Sequence, residues 1–283
     1  MTPDPFQPRS LVRAAVDAPE LRWLEGPVRM IALGSETGDR YQVETLDSHP
    51  GKGPAPHVHS REDEWYFVLS GGPITFTAGD QTAELGVGDF IDLRSGSVHA
   101  YKNTGKPARL VACNAPAGFE RFQQELAASW PDGELDMEKI GPQMAELAPR
   151  YGLNLKPDPA LFGQVPVVHV VRADAPEVEV TPGLQATVLA GPEHTGGRYA
   201  AIRLTLAQDA SPVQLMHPVA ATGLLVMAGH LRVQIAGRDQ ELSAEGFAHV
   251  EPGDVAILQA VSGRASFLVW HAPGLSVPFV GNR

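Results

Sequence analysis

Short apolar runs closed by turn residues dominate the chain. Tyr66–Leu69, Pro73–Thr77 and Arg109–Cys113 are four or five residues long, and each lies close to Gly, Pro, Asp or Asn. Many such runs at regular spacing predict short strands folded into a sandwich or barrel. The texture changes after residue 117. Phe119, Phe122, Leu126 and Trp130 fall three, four and four residues apart, which marks one face of a helix. Met137, Ile140, Met144, Leu147 and Tyr151 repeat that pattern, with Pro142 and Pro149 expected to break or bound the second helix and Gly152 to cap it. The apolar stripe of these helices is expected to pack against the β-rich parts.

Those β-rich parts resemble each other. Thr37–Tyr41 (TGDRY) recurs as Thr195–Tyr199 (TGGRY), an offset of 158, and the same offset lays Phe67–Gly71 on Leu225–Gly229. Val87-Gly88-Asp89 then matches Pro252-Gly253-Asp254 at an offset of 165, and Ala115-Pro116 matches Ala272-Pro273 at 157. Matches in one order imply a duplicated domain with length changes in two places. The expected organisation is an N-terminal arm at 1–20, a first barrel at 21–116, a helical connector at 117–165 and a second barrel at 166–283.

Composition narrows the possibilities. The chain has 283 residues, enough for two domains, and 29 Gly with 25 Pro suit a turn-rich β protein. A net charge of −11 argues against a nucleic-acid partner, because no basic excess exists to displace counterions. The segment MTPDPFQPRS lacks a basic region followed by an apolar run, and no stretch approaches a membrane span, so a cytoplasmic location without membrane association is expected. The lone Cys113 sits in an apolar run and reads as a buried, inert thiol.

The candidate chemistry is concentrated in the first copy. Residues 51–71 read GKGPAPHVHSREDEWYFVLSG. His57 and His59 are two apart, so on a strand both imidazoles leave the same face. Glu64 has the wrong parity for one unbroken strand, but the polar residues 60–63 can turn the chain before it. In residues 88–103, the turn Arg94-Ser95-Gly96 delivers His99 onto a new strand. Three histidines and a carboxylate suit one divalent transition metal with open positions, and Fe, Mn, Co, Ni, Cu and Zn all accept such donors. In the second copy the offset of 158 puts His217 on His59, but Leu215 on His57 and Thr222 on Glu64. The segment equivalent to His99 is expected to be shortened by about eight residues, with Arg264 the nearest candidate. His230, His249 and His271 could form only an unrelated site.

These residues resemble the two motifs of the cupin superfamily. Gly51, His57, His59, Glu64 and Gly71 match the first motif, and Gly88, Gly96, His99 and Asn103 match the second, with Arg94 where the family usually has proline. The motif spacing selects Glu64 over the neighbouring Glu62. The resemblance implies an all-β fold: two cupin barrels (double-stranded β-helix, jelly-roll) in tandem, joined by a helical connector. It also implies one metal per chain on His57, His59, Glu64 and His99, with the second barrel lacking the set.

Within the cupins the chain looks most like the quercetinase-like bicupins, through the three-histidine, one-glutamate set, the run from His59 to Leu69 and Gly118–Phe122 opening a helix. That resemblance implies a metal-dependent dioxygenase opening a flavonol-like or other enol-bearing aromatic with dioxygen. Glu64 would be both ligand and general base, and Tyr66 and Tyr101, each two residues from a ligand, would line the substrate pocket. A small-molecule substrate and O2 are the expected partners, and the chain could also form a homodimer. Two alternatives stand beside it. One is a metal-dependent isomerase, epimerase or decarboxylase of a sugar or small acid, in which Arg61 and Arg94 would hold the acid. The other is a non-enzymatic, pirin-like ligand-binding regulator, which Tyr101 disfavours because pirins carry glutamate at that place.

Overall fold

The computed structural model describes residues 9–130 and 135–275. Two short strands, β1 (Leu11–Arg13) and β2 (Glu20–Leu21), precede β3 (Val28–Ala32), a helical turn α1 (Gly34–Thr37) and β4 (Gln42–Ser48). Then come β5 (Val58–His59), β6 (Asp63–Ala78), β7 (Gln81–Leu85), β8 (Phe90–Leu93) and β9 (His99–Ala115). Helices α2 (Phe119–Ala128) and α3 (Met137–Leu147) lead to β10 (Leu153–Asn154) and β11 (His169–Val171). The second half opens with β12 (Val178–Thr181), β13 (Leu184–Ala190), a turn α4 (Pro192–Thr195), β14 (Ala200–Ala207) and β15 (Val213–Leu215). It closes with β16 (Ala221–Ala228), β17 (Leu231–Ile235), β18 (Arg238–Leu242), β19 (Phe247–Val250), β20 (Ala256–Ala260) and β21 (Arg264–Ala272).

Each half is an antiparallel jelly-roll barrel. In the first, the long strands β6 and β9 pair along most of their length, and β4, β3 and β2 extend the sheet on one side while β8 and β11 extend it on the other. In the second, a sheet ordered β1-β19-β16-β21-β14-β13-β12 is complemented by a four-stranded sheet, β15-β20-β17-β18. Alternation sets the inner face. Leu231, Val233 and Ile235 of β17 are buried while Arg232 and Gln234 between them are exposed. Each barrel has its own apolar core, one built around Val68, Ile74, Phe76 and Leu110, the other around Leu204, Val233, Leu258 and Phe267.

The compact units are discontinuous in sequence, whereas the sequence pattern drew boundaries at 20, 116 and 165. One unit holds Pro19–Leu33 and Tyr41–Ala173; the other holds the described residues through Ala18, Gly34–Arg40 and the described residues from Asp174 onward. The helical connector therefore belongs to the unit of the first barrel. The described part of the N-terminal arm instead adds β1 to the second barrel through pairing with β19; residues 1–8 lie outside the described residues.

Two expectations about local structure are corrected. Pro142 neither breaks nor bounds the second helix but lies inside α3. The carbonyl it leaves without an N–H partner belongs to Glu138, which is on an exposed turn where water can serve it. Gly152 does adopt the left-handed cap conformation, at φ 78°, but it closes the 3-10 turn Ala148–Tyr151 that follows the helix. The helical stripe packs as expected of one face: Phe122 and Leu126 are buried with Ile140, Ala148 and Leu153, and Phe119 and Trp130 rest partly buried against them.

The register between the copies is also simpler than the sequence suggested. The Gly96 N–H bonds to the His59 carbonyl, and the Gly253 N–H bonds to the His217 carbonyl, so Gly253 is the counterpart of Gly96. Gly88 and Glu245 likewise bond back to the carbonyls of Val68 and Val226. The offset is thus 158 through Gly71 and 157 from Ile74 onward, a single residue lost just after that glycine. Gly71 and Gly229 pin the register. Both have positive φ, and a Cβ would lie 1.9 Å from the Pro107 carbonyl oxygen in one and 2.2 Å from the Arg264 carbonyl oxygen in the other. The similarity of Val87-Gly88-Asp89 to Pro252-Gly253-Asp254 joins two different turns, one before β8 and one before β20.

Among the described residues, no helix is long and apolar enough to cross a membrane. Cys113 is fully buried, and burial holds its thiol pKa well above the ordinary value.

Candidate metal centre

The first barrel brings His57, His59, Glu64 and His99 together. One donor atom from each lies within 4.8 Å of the others. His57 and His99 face each other across a reciprocal backbone pair, with N–H to carbonyl distances of 3.0 and 2.9 Å. His59 follows on the same face, and the three imidazole centroids are 4.4, 5.1 and 5.5 Å apart. A polar bend after His59 resets the strand, so Glu64 enters β6 pointing inward, paired in register with Leu93 and Asn114.

The hydrogen bonds settle which ring nitrogens are free to donate a lone pair. Nδ1 of His57 bonds to the Ala55 carbonyl at 2.9 Å, and Nδ1 of His99 bonds to the Ser97 carbonyl at 2.9 Å. A carbonyl only accepts, so both Nδ1 atoms carry the proton and Nε2 is left for the centre. His59 is 1% exposed, and neither of its ring nitrogens has a hydrogen bond; its Nδ1 faces Glu62 Oε2 at 3.6 Å. Glu62 therefore stands behind His59 rather than in the donor set. His99 Nε2 lies 3.1 Å from Glu64 Oε2, and Glu64 Oε1 accepts from Asn114 Nδ2 at 3.2 Å.

The charge balance is that of a cation site. Burial would raise the Glu64 carboxyl, but His59, His99 and His57 outweigh it and hold the pKa at about 2. Burial lowers His59, yet Glu64, Glu62 and Glu44 raise it overall. Dehydrated surroundings and the other two imidazoles push His57 down to about 3, so it is neutral at pH 7. Three imidazole nitrogens, one carboxylate oxygen and an orphaned buried histidine fit a single divalent transition metal, and the donor types leave Fe, Mn, Co, Ni, Cu and Zn open.

The second barrel assembles no such set. The corrected register puts Leu215, His217, Thr222 and Ala256 at the four places, so Ala256, and not Arg264 in a shortened segment, stands for His99. His217 Nδ1 accepts from the N–H groups of Val219 and Ala220 at 3.2 and 2.8 Å, which leaves the proton on Nε2. That is the opposite tautomer to the first barrel. His271 pairs with Thr222 at 2.7 Å, His249 with Glu251 at 2.7 Å and His230 with Glu241 at 2.9 Å. Among the described residues the first-barrel group is the one cluster of three or more potential ligands.

A cavity of about 210 Å³ opens beside His57 and Glu64. Tyr66 and Tyr101 both line it, with rings 5.6 Å apart, although each is largely buried and also fills the barrel. Sequence reasoning missed much of the wall: Trp23, which meets Phe119 and Phe122 edge-to-face, together with Met144, Leu153, Glu25 and Glu44. Phe119 and Phe122 carried a helical signal but none for a site. Among the described residues no lysine or arginine lines the cavity. Arg94 instead faces Asp63 at 3.5 Å, and Arg61 lies against Gly152.

A profile of the cupin domain matches residues 45–113. Two solved structures share the fold across nearly the whole chain. Oxalate decarboxylase from Bacillus subtilis superposes with a TM-score of 0.66 at 14% identity, covering 97% of this chain and 79% of that one. The oxalate decarboxylase of Lactobacillus farciminis superposes with a TM-score of 0.68 at 14% identity, covering 95% and 88%. The first barrel is a cupin domain, and the chain has a bicupin fold. At these identities the likeness is one of fold. By sequence, this bicupin is 26% identical over 98 residues to the quercetin 2,3-dioxygenase of Bacillus subtilis (strain 168). The match takes in 35% of this chain and spans only 29% of that protein.

Proposed function

We propose that this bicupin is a metal-dependent dioxygenase that opens an enol-bearing aromatic, with a flavonol as the leading substrate. The observation that carries the reading is the cavity wall: aromatic and aliphatic side chains beside His57 and Glu64, with no lysine or arginine among the described residues. A small dicarboxylic acid held at the metal by one end would meet the carboxyl groups of Glu25 and Glu44 at the other, with no lysine or arginine among the described lining residues to receive it. The local similarity to a quercetin 2,3-dioxygenase agrees with this reading. The competing decarboxylase reading has the fold likeness, but Arg61 and Arg94, the basic residues that could have served it, are not among the residues lining the cavity.

His57, His59, Glu64 and His99 would hold the ion; Bacillus subtilis oxalate decarboxylase, similar in fold, has Mn(II) centres. When bound, such an ion supplies Lewis-acid polarisation of a substrate oxygen. Glu64 is the proton acceptor for the substrate hydroxyl. Its carboxylate is a poor base while the imidazoles face it, so its basicity grows only as it turns from them towards the cavity. Tyr66 and Tyr101, whose hydroxyls burial keeps protonated, orient the bound ring as donors. Trp23, Phe119 and Phe122 exclude water from the reacting face.

Oxygen uptake by protein reconstituted with each candidate metal, offered flavonols, catechols and 1,3-diketones, tests the reading. Flavonol-dependent uptake with a ring-opened product supports it. No uptake with any of these, together with decarboxylation of a small acid under anaerobic conditions, overturns it.

A further inference from the structure

We infer that Glu25 and Glu44 read the hydroxyl groups of the ligand, so that the cavity selects an uncharged polyhydroxylated aromatic and turns away small dianionic acids. The inference rests on the proposed reading of the site as one that takes an enol-bearing aromatic, and it adds the residues that set the selectivity.

Glu25 lies on the loop between β2 and β3 and lines the cavity. It accepts a hydrogen bond from the backbone of Gly53, but its Oε2 is buried and has no hydrogen-bond partner. A buried carboxylate oxygen without a donor is costly, and the cavity is where a donor can arrive. Glu44, on β4, is 5% exposed and lines the same cavity. Its Oε2 accepts from Gln123 Nε2 at 2.8 Å, and Gln123 is itself fully buried on α2, so the carboxyl is held in one place. The remaining lining carboxylate outside the metal set, Asp47, is paired with Arg109 at 3.1 Å.

The spacing suits a ring better than a two-carbon acid. Gly53, which anchors Glu25, is packed onto the backbone of Tyr101, since a Cβ there would sit 1.9 Å from the Tyr101 carbonyl oxygen. Tyr101 is two residues beyond His99 on β9, a backbone rise of about 7 Å, so Glu25 is anchored against the strand at a position beyond His99 rather than beside it. A ligand with one oxygen at the cluster needs a hydroxyl several bonds away to reach Glu25. An acid of two carbons is too short, and its second charge would face the carboxyl groups of Glu25 and Glu44, with no lysine or arginine among the described lining residues.

Equilibrium binding to the metal-free, full-length protein, followed by quenching of tryptophan fluorescence and by calorimetry, tests this with quercetin, 3-hydroxyflavone and oxalate. The expected result is about 10-fold tighter binding of quercetin than of 3-hydroxyflavone, the size of one hydrogen bond to a charged acceptor. Oxalate should not displace either. Glu25→Leu should remove most of the quercetin preference and leave 3-hydroxyflavone unchanged, and Glu44→Gln, which conserves shape, should reduce it. Equal binding of the two flavonols to the wild-type protein, or displacement of both by oxalate, overturns the inference without needing any variant to fold. Failure of the parent reading looks different. Hydroxyl-dependent binding that Glu25→Leu abolishes, without oxygen uptake by the metal-loaded protein, would sink the dioxygenase and leave the selectivity standing.

Discussion

His99 Nε2 lies 3.1 Å from Glu64 Oε2, although the two residues are 35 positions apart in the chain. With His99 Nδ1 already committed to the Ser97 carbonyl, the space between Nε2 and the carboxylate is where a cation fits in place of a proton. Glu64→Gln keeps an oxygen there but loses the charge and the base. It should retain much of the metal while oxygen uptake on the true substrate falls by about 100-fold or more. His99→Ala should lose both. Elemental analysis paired with an oxygen electrode reads the two quantities, and full activity in Glu64→Gln would remove the base assignment.

One equivalent of metal per chain is expected. A double change, His57→Ala with His59→Ala, should abolish it. The matching change in the second barrel, His217→Ala with His271→Ala, should leave it intact, because His217 keeps its proton on Nε2. Two equivalents in the wild-type protein would contradict this.

Asn103, part of the second motif, is a structural residue. It is 1% exposed; its Nδ2 donates to the Ser48 and Lys106 carbonyls at 2.7 and 2.9 Å, and its Oδ1 accepts from the Gly105 N–H at 2.9 Å. Asn103→Ala strands those partners and should cost about 2–4 kcal/mol in denaturant unfolding, with metal content per folded chain unchanged. Loss of metal from a variant that keeps wild-type stability would place Asn103 in the centre instead.

Glu44 makes stability fall with rising pH. Burial, opposed by the Gln123 hydrogen bond, raises its pKa from 4.5 to about 7. Between those values the native state binds the proton more tightly than the unfolded chain, so the favourable contribution present at low pH is lost as pH climbs through about 7. Glu44→Gln lacks this dependence. Its melting temperature relative to the wild type should rise from about pH 5 to about pH 8 in metal-free protein. A difference that stays constant with pH would show that Glu44 is not protonated in the native state.

The parts of this protein that local stereochemistry controls were legible in the chain. Side chains alternate along a strand, so His57 and His59 had to leave one face, and the helical spacing of Phe119, Phe122 and Leu126 had to produce one buried stripe. The repeat of Thr37–Tyr41 at Thr195–Tyr199 disclosed the duplication for the same reason: a turn demands particular residues wherever it occurs. That demand also misled. Gly88-Asp89 and Gly253-Asp254 are alike because both make turns, and only the pairing of Gly96 with His59 and of Gly253 with His217 decides which turns correspond. Long-range packing decided the rest. Trp23, Glu25, Glu44 and Phe119 meet around one cavity because the β2–β3 loop, β4 and α2 come together there, Gln123 of α2 bonding to Glu44 and Phe119 packing on Trp23 and His59, and nothing in the residues next to each of them marks that meeting point. The opposite tautomers of His57 and His217 are likewise set by which backbone groups reach Nδ1, a carbonyl in one barrel and two N–H groups in the other.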